Sequence, residues 1–313
     1  MSNPQPATLA AGRQALVKNK FLIVYTALVA GILCLSFSGL FVRWANAPGV
    51  VTSFYRMTIA AVVMSPVLVR QVRHQSEPGK NKFSWGLLLP AALGGLFTAL
   101  DHGAWATSMS FTRVANATLL NNTAPIWVAL IAFFVFKEKL KKYFWVGLAL
   151  TMAGASVVLA SDLVAHPTLG WGDLIALGSG FFYAAYFLVT QRARRGMSAF
   201  VYMAVVDLVS ALFLLSFCLI FRQPLTGYPP MTYLIFVAAA LVSQMAGHLC
   251  LSFALGHLPA FVVAPTMIAQ PVLTALLAIP LLGEALNPSQ WIGGVAVLAG
   301  IFLVNRSQEA SAN

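Results

Sequence analysis

The residues that could do chemistry are a few polar side chains inside long apolar runs. Arg56, Asp101 and Asp207 are the charged ones, and a charged group surrounded by hydrocarbon is costly unless it has a partner. One interpretation is an ion pair between Arg56 and either aspartate, which would hold helices in register. The other makes Asp101, beside His102, part of a proton relay. The pattern predicts a buried charge network, with the ion pair as the preferred interpretation.

Two histidines recur at a fixed distance along the chain. His102 and His248 lie 146 residues apart, and Thr98 and Gln244, four residues before each, keep the same distance. Residues at i and i+4 share one face of a helix. A lone buried histidine more often packs in a core, but an ionisable group inside an apolar helix indicates function. We therefore expect His102, Gln244 and His248 to bind a ligand or to gate.

Two prolines interrupt apolar runs beside amide side chains. A proline removes one helical hydrogen bond, and the polar backbone that it frees is tolerated only against protein or a water-filled cavity. Amides supply both donors and acceptors, so they predict a binding site, while polar contacts between helices are the alternative. We favour the binding site as the interpretation of Asn122 and Gln270. For Asn121 and Thr123 we favour neither interpretation over the other. The prolines are Pro125 and Pro271.

Aromatic residues make up 12% of the chain. Trp105 and Tyr183 lie deep in apolar runs and could stack on an aromatic ligand. Packing against other helices or lipid is the alternative, and it explains most such residues.

Motifs for catalysis, cofactors and metals are missing from the sequence. It contains no HExxH, GxSxG or GxxxxGK[ST] pattern. Cys34, Cys218 and Cys250 stand in apolar runs without CxxC spacing, as small core residues do. We expect no enzymatic activity, no cofactor and no metal.

The elements that position these residues are long apolar segments. The chain is 59% hydrophobic and only 9% charged, whereas soluble domains carry roughly a quarter charged residues. A bilayer crossing takes roughly 17–25 apolar residues, which predicts an all-α integral membrane protein with ten transmembrane helices. These are expected near 21–44, 50–69, 84–108, 113–136, 143–161, 171–191, 199–221, 231–255, 260–282 and 289–305.

Lys and Arg set the orientation of the helices. With a cytoplasmic N-terminus, fifteen of them fall in inside segments and three, Arg43, Arg113 and Arg222, in outside loops. The positive-inside rule then places both termini in the cytoplasm. The net charge of +11 comes mainly from Lys and Arg in these inside segments, so it does not indicate nucleic acid as a partner. We expect a multi-pass protein of a bacterial-type inner membrane, surrounded by lipid.

The chain contains an internal repeat. A shift of 146 residues places 125–158 on 271–304 with 11 identical residues among 34, including matched Pro, Glu, Trp and two Gly. Each half then has five helices, and the odd number inverts the second half (5+5). The predicted units are a tail at 1–20, repeats at 21–161 and 171–305, and a tail at 306–313.

This pattern resembles the EamA repeat of the drug/metabolite transporter superfamily. The resemblance rests on Pro125–Gly154, on Pro271–Gly300 with Leu282-Gly283-Glu284-Ala285-Leu286, and on Phe54-Tyr55-Arg56; Lys137 departs from the usual Gly. Within the superfamily the sequence is similar to the YddG-type aromatic amino acid exporters. That resemblance implies export of uncharged, often aromatic, amino acids through a central cavity between the halves.

The sequence thus leads to the hypothesis of alternating access around a midplane site between the halves. Pro125 and Pro271 are the expected gating kinks, and a neutral or aromatic amino acid is the expected small-molecule substrate. Another metabolite or drug is the first alternative, followed by a membrane-embedded enzyme acting on lipid and by a passive channel. Because ten helices can enclose a cavity alone, we expect a monomer.

Overall fold

The chain folds into helices that follow one another with short connections. The computed structural model describes residues 6–75, 86, 88–112, 114–159, 170–283 and 285–312. Within these ranges there is no β-strand, which confirms the predicted all-α class. The helices are α1 Pro6–Ser36, α2 Ser38–Ala45, α3 Gly49–Gln75, α4 Leu88–Ser108, α5 Val114–Asn121, α6 Ala124–Phe134, α7 Lys142–Leu159, α8 Trp171–Ala193, α9 Ala199–Ile220, α10 Pro230–Ala239, α11 His248–Leu255, α12 Ala260–Thr266, α13 Ala269–Leu282 and α14 Pro288–Ala312. A π-helical turn, Ala240–Gly247, joins α10 to α11.

Nine segments of the described chain are helical, long and apolar enough to cross a membrane. The sequence predicts ten, and the segment that does not qualify is α4. It has 21 residues, about 32 Å at 1.5 Å per residue, but Asp101 and His102 lie in its interior and reduce its apolar character. The length of α4 therefore suffices for a crossing, while its composition reflects the polar residues that it carries.

Several of the long helices are interrupted. The first predicted span consists of α1, which begins as far back as Pro6, and α2, with a break at Phe37. Breaks also separate α5 from α6 and α12 from α13. Glu284, with which Glu138 is matched in the repeat, lies outside the described residues, as do Lys80, Lys82 and Arg113 of the charge pattern.

Helices α7 and α14 cross at four glycines. A Cβ on Gly147 would lie 2.8 Å from the Gly300 carbonyl oxygen, and one on Gly154 would lie 2.6 Å from that of Gly293. Gly147 precedes Gly154, whereas Gly300 follows Gly293, so the two helices run antiparallel. The shift of 146 residues relates Gly147 to Gly293 and Gly154 to Gly300. At the crossing, by contrast, Gly147 meets Gly300 and Gly154 meets Gly293.

The remaining contacts follow the same pattern. Helix α4 packs on α8, and the segment from α10 to α11, its counterpart in the repeat, packs on α1 and α2. Helices α3 and α9, which are each other's counterparts, pack together, and α4 also lies against α9. As a result, the polar residues of α3, α4, α9 and the π-helical turn meet in the interior of the bundle.

Candidate functional site

Arg56 is the centre of the polar interior. It is only 4% exposed on α3. Its Nη1 donates to Ser38 Oγ at 2.7 Å, on the first turn of α2, and its Nη2 contacts His102 Nε2 on α4. Its Nε has no partner among the described residues. Arg56 thus joins α4 to the start of α2, beside the break after α1, while its Nε–H remains available to a further acceptor.

The contacts of His102 define its tautomer. A guanidinium can only donate, so His102 Nε2 accepts from Arg56. Its Nδ1 then carries the hydrogen, which is donated to the Thr98 carbonyl oxygen at 2.9 Å. The same Nδ1 lies 3.5 Å from Asp101 Oδ2. In this arrangement the imidazole is neutral and links Arg56 to Asp101.

Asp101 is held by an amide at the end of α5, just before the break between α5 and α6. Asn121 Nδ2 donates to Asp101 Oδ1 at 2.6 Å and to Ser179 Oγ at 2.9 Å. Asn121 is the last residue of α5, and α8 comes very close to it, since a Cβ on Gly180 would lie 2.9 Å from the Asn121 carbonyl oxygen. The interrupted helix, α4 and α8 therefore meet at one carboxylate.

A second carboxylate pairs with the π-helical turn. Gln244 Nε2 donates to Asp207 Oδ1 at 2.6 Å, and both side chains are fully buried. Asp207 Oδ2 and Gln244 Oε1 are both without a partner among the described residues. π-Helical turns occur often at functional sites, and this one places an amide beside a buried acid.

Arg56 connects the two carboxylates electrostatically. It interacts with Asp207 and, less strongly, with Asp101. Within the described residues neither aspartate forms an ion pair with it at 4.0 Å or less. The three charges are brought together by the fold, but each aspartate takes its short hydrogen bond from an amide. We refer below to the charged cluster, which comprises Arg56, Asp101, His102, Asn121, Asp207, Gln244 and His248.

Rings border the charged cluster on the side of α8. His248 is 5% exposed, its Nδ1 has no partner in the described part of the chain, and its ring centroid lies 6.1 Å from that of Tyr186. Tyr186 is stacked with Tyr183 at 6.2 Å. Tyr183 in turn interacts electrostatically with Asp101. Two tyrosines thus line one edge of the charged cluster.

Three residues expected at the site lie apart from the charged cluster in their described hydrogen bonds, or form none with it. Asn122 Nδ2 donates to the Thr118 carbonyl oxygen at 2.8 Å, within its own helix break. Gln270 Nε2 donates to the Leu35 carbonyl oxygen at 3.1 Å, near the break after α1. Trp105 is half-buried on α4. The Gln270 bond joins two helices, as the polar-contact interpretation describes, whereas the Asn122 bond reaches back four residues along its own helical segment.

The two prolines lie just after the helix breaks. Pro125 is the second residue of α6, and Pro271 is the third residue of α13. In the first turn of a helix the missing N–H of proline would have had no helical acceptor, so both residues begin a half-helix. Met267 lies in the break between α12 and α13, and its carbonyl oxygen accepts from the Gln270 N–H at 2.9 Å.

Sequence reasoning missed Ser38, Ser179 and Tyr186. Ser38 belongs to the run Ser36-Phe37-Ser38-Gly39 inside an apolar segment, and this polar interruption was a usable signal. Ser179 carries no such signal, because serine is common in helix interfaces of membrane proteins, and Tyr186 is one of several aromatic residues deep in apolar runs.

Comparison with known proteins identifies the family. Residues 22–160 and 170–306 both match the model of the EamA-like transporter family. The uncharacterized transporter YwfM of Bacillus subtilis is 25% identical over 230 residues, 72% of this chain and 75% of its own length. A protein of Salmonella typhimurium named probable amino-acid metabolite efflux pump is 26% identical over 198 residues, 60% of this chain and 66% of its own length.

A solved structure has the same fold. One crystal structure, whose description names no function, superposes with a TM-score of 0.72 at 20% sequence identity, covering 91% of this chain and 96% of its own. This likeness concerns the fold alone. Because the two family matches together span most of the sequence, the chain belongs to the EamA-like transporter family of the drug/metabolite transporter superfamily and is a multi-pass membrane transporter.

Proposed function

We propose that this protein exports uncharged amino acids, aromatic ones among them, and that the charged cluster binds them. The observation that carries this proposal is Arg56, a buried guanidinium whose Nε has no partner in the described part of the chain. Arginine binds carboxylates through two adjacent N–H groups, and Nε with one terminal nitrogen forms such a pair. The α-carboxylate of the substrate binds there.

The ammonium group of the substrate binds at Asp101. Its Oδ1 accepts from Asn121, while among the described residues its Oδ2 has only His102 Nδ1 nearby, at 3.5 Å, so it can accept from a further donor. A zwitterion therefore has one group for each of its charges. Tyr183 and Tyr186 supply the rings on which an aromatic side chain stacks, which agrees with the substrate class that the resemblance to aromatic amino acid exporters implies.

Transport proceeds by alternating access between two inverted five-helix units. Support comes from the antiparallel crossing of α7 and α14, which are counterparts in the repeat, and from helix breaks at equivalent places before Pro125 and Pro271. Interrupted helices at the junction of inverted repeats are a common design of transporter sites. We further propose ten spans, with α4 as the tenth, both termini in the cytoplasm of a bacterial-type cell, and a monomer.

Counterflow in proteoliposomes tests the substrate class. Vesicles loaded with unlabelled tryptophan or phenylalanine should accumulate the labelled amino acid from outside faster than empty vesicles do. Aspartate should not exchange, because its second carboxylate has no cation other than Arg56 to pair with in the charged cluster. If no neutral amino acid exchanges above the empty vesicles, the proposal is wrong. Exchange of only a nucleobase or a sugar would favour another metabolite instead.

A further inference from the structure

We propose that Asp207 holds an exchangeable proton that extends the cargo to cationic amines, each exported in exchange for one proton. Amines here means molecules that carry the ammonium group of an amino acid but no carboxylate. This inference rests on the proposed amino acid site at Arg56 and Asp101, and it adds a second activity to that site.

The first ground is a pair of buried acceptors that lack a donor. Asp207 Oδ1 already accepts from Gln244 Nε2 at 2.6 Å. The two oxygens left over, Asp207 Oδ2 and Gln244 Oε1, can only accept, and both are fully buried without a partner in the described chain. A buried acceptor that is left without a donor destabilises the folded protein. A single proton on Asp207 Oδ2 would supply the donor for Gln244 Oε1, as when a carboxylic acid pairs with a primary amide.

The second ground is the balance of charge. Around Arg56 the described residues provide two carboxylates, Asp101 and Asp207, and no second guanidinium or ammonium group. His102 is neutral by its contacts, and no hydrogen bond in the described chain supports a charge on His248 Nδ1. With both acids ionised the cluster would carry one net negative charge, which a low-dielectric interior disfavours. One proton brings the total to zero.

Asp207 is the better place for that proton than Asp101. Each aspartate accepts one short hydrogen bond at Oδ1, from Asn121 or from Gln244. Asp101 is 6% exposed, whereas Asp207 is completely buried, and burial disfavours the charged form of a carboxyl group. The empty site therefore holds Asp101 ionised and Asp207 as the neutral acid.

The groups that face Asp207 come from every neighbouring element. Arg56 approaches from α3, and Asp101 and His102 lie on α4 beyond it. Tyr186 comes from α8 and Tyr202 from α9 itself. Gln244 and His248 lie on the π-helical turn and α11. Among these only Arg56 is a fixed cation, so the charge state of Asp207 follows the net charge that a substrate adds to the charged cluster.

Substrates of different net charge then have different proton stoichiometry. A zwitterion places its carboxylate on Arg56 and its ammonium on Asp101, the total stays at zero, and Asp207 keeps its proton. An amine adds one positive charge at Asp101 and nothing at Arg56. The Asp207 O–H bond then breaks, the electron pair stays on Oδ2, the proton leaves to water, and Arg56 balances the new carboxylate.

Calorimetry on the purified full-length protein tests this with tryptophan and tryptamine, which differ by one carboxylate. Binding heats are measured in two buffers of different ionisation enthalpy, and their difference counts the protons released. We expect one proton released per tryptamine bound and none per tryptophan. Tryptamine that binds without proton release, or fails to bind wild-type protein, would overturn the inference. Failure of tryptophan alone would instead overturn the amino acid proposal.

The Asp207→Asn variant assigns the proton to its residue. Asparagine offers an N–H where the neutral acid offers an O–H, so the pairing with Gln244 is kept. Tryptamine, whose charge then has no counter-charge, should lose about tenfold more affinity than tryptophan does and should release no proton. The matched Asp207→Glu variant should retain proton release. An Asp207→Asn protein that still releases a proton with tryptamine would show that the proton resides elsewhere.

Discussion

Arg56 makes two contacts with groups that lie on different helices. Its planar guanidinium reaches Ser38 and His102 from separate nitrogens and keeps Nε free. Lysine retains the positive charge but has a single nitrogen on a flexible stem, so it cannot present two adjacent N–H groups to a carboxylate. If Arg56 binds the substrate as proposed, the shape of its side chain matters as well as its charge.

We accordingly expect Arg56→Lys to lose tryptophan counterflow by about tenfold or more, because a hydrogen bond to a charged group contributes about 1.5–3 kcal/mol. Initial counterflow rates in proteoliposomes give the measurement. Arg70→Lys is the control, since Arg70 is exposed at the far end of the same helix. Equal rates for Arg56→Lys and the control would remove Arg56 from the binding site.

The partners of the buried polar residues could be foreseen only in part. The sequence indicated that Arg56, Asp101 and Asp207 lie inside apolar segments, where a charged group needs a partner. It left their pairing open, because the register between helices far apart in sequence depends on packing. The short bonds of the aspartates to Asn121 and Gln244 come from that packing.

At the scale of the helices, some helix breaks can be predicted from the sequence and others cannot. Pro125 and Pro271 predict the breaks before α6 and α13, because proline removes one helical hydrogen bond and crowds the carbonyl four residues back. The break at Phe37 and the π-helical turn at Ala240–Gly247 contain no proline. Insertion of one extra residue into a helical turn is set by the neighbours that it packs against, and a single sequence does not contain that information.

The crossing of α7 and α14 depends on glycines with no room for a side chain. A Cβ on Gly154 would lie 2.6 Å from the Gly293 carbonyl oxygen and 2.7 Å from the Val297 nitrogen, which are backbone atoms that can move only with their helix. We expect Gly154→Ala to lower the stability by about 1–3 kcal/mol, seen as a lower apparent Tm of the purified protein in detergent.

The control for this variant is Gly178→Ala. A Cβ at Gly178 would meet no atom within 4 Å, and alanine is favoured over glycine within a helix by up to about 1 kcal/mol. Its Tm should be unchanged or slightly higher. If both variants melt together, the close approach of α7 and α14 does not contribute to stability.

At the scale of the whole molecule, the excess of Lys and Arg on one side supports the proposed orientation, with both termini in the cytoplasm. In that proposed orientation the loop between α8 and α9 faces the cytoplasm and the loop between α9 and α10 faces outward. Exposed positions exist in both, Arg195 in the first and Thr226 in the second. Each can carry a single cysteine after Cys34, Cys218 and Cys250 have been replaced.

A membrane-impermeant maleimide should label Thr226→Cys in intact cells and Arg195→Cys only after the membrane is permeabilised. A fluorescent protein that matures only in the cytoplasm should fluoresce when fused to the C-terminus. The labelling of both cysteines serves as the control for accessibility once the cells are opened. Labelling of Arg195→Cys in intact cells would invert the orientation, and a dark C-terminal fusion would require an odd number of spans if the N-terminus is cytoplasmic.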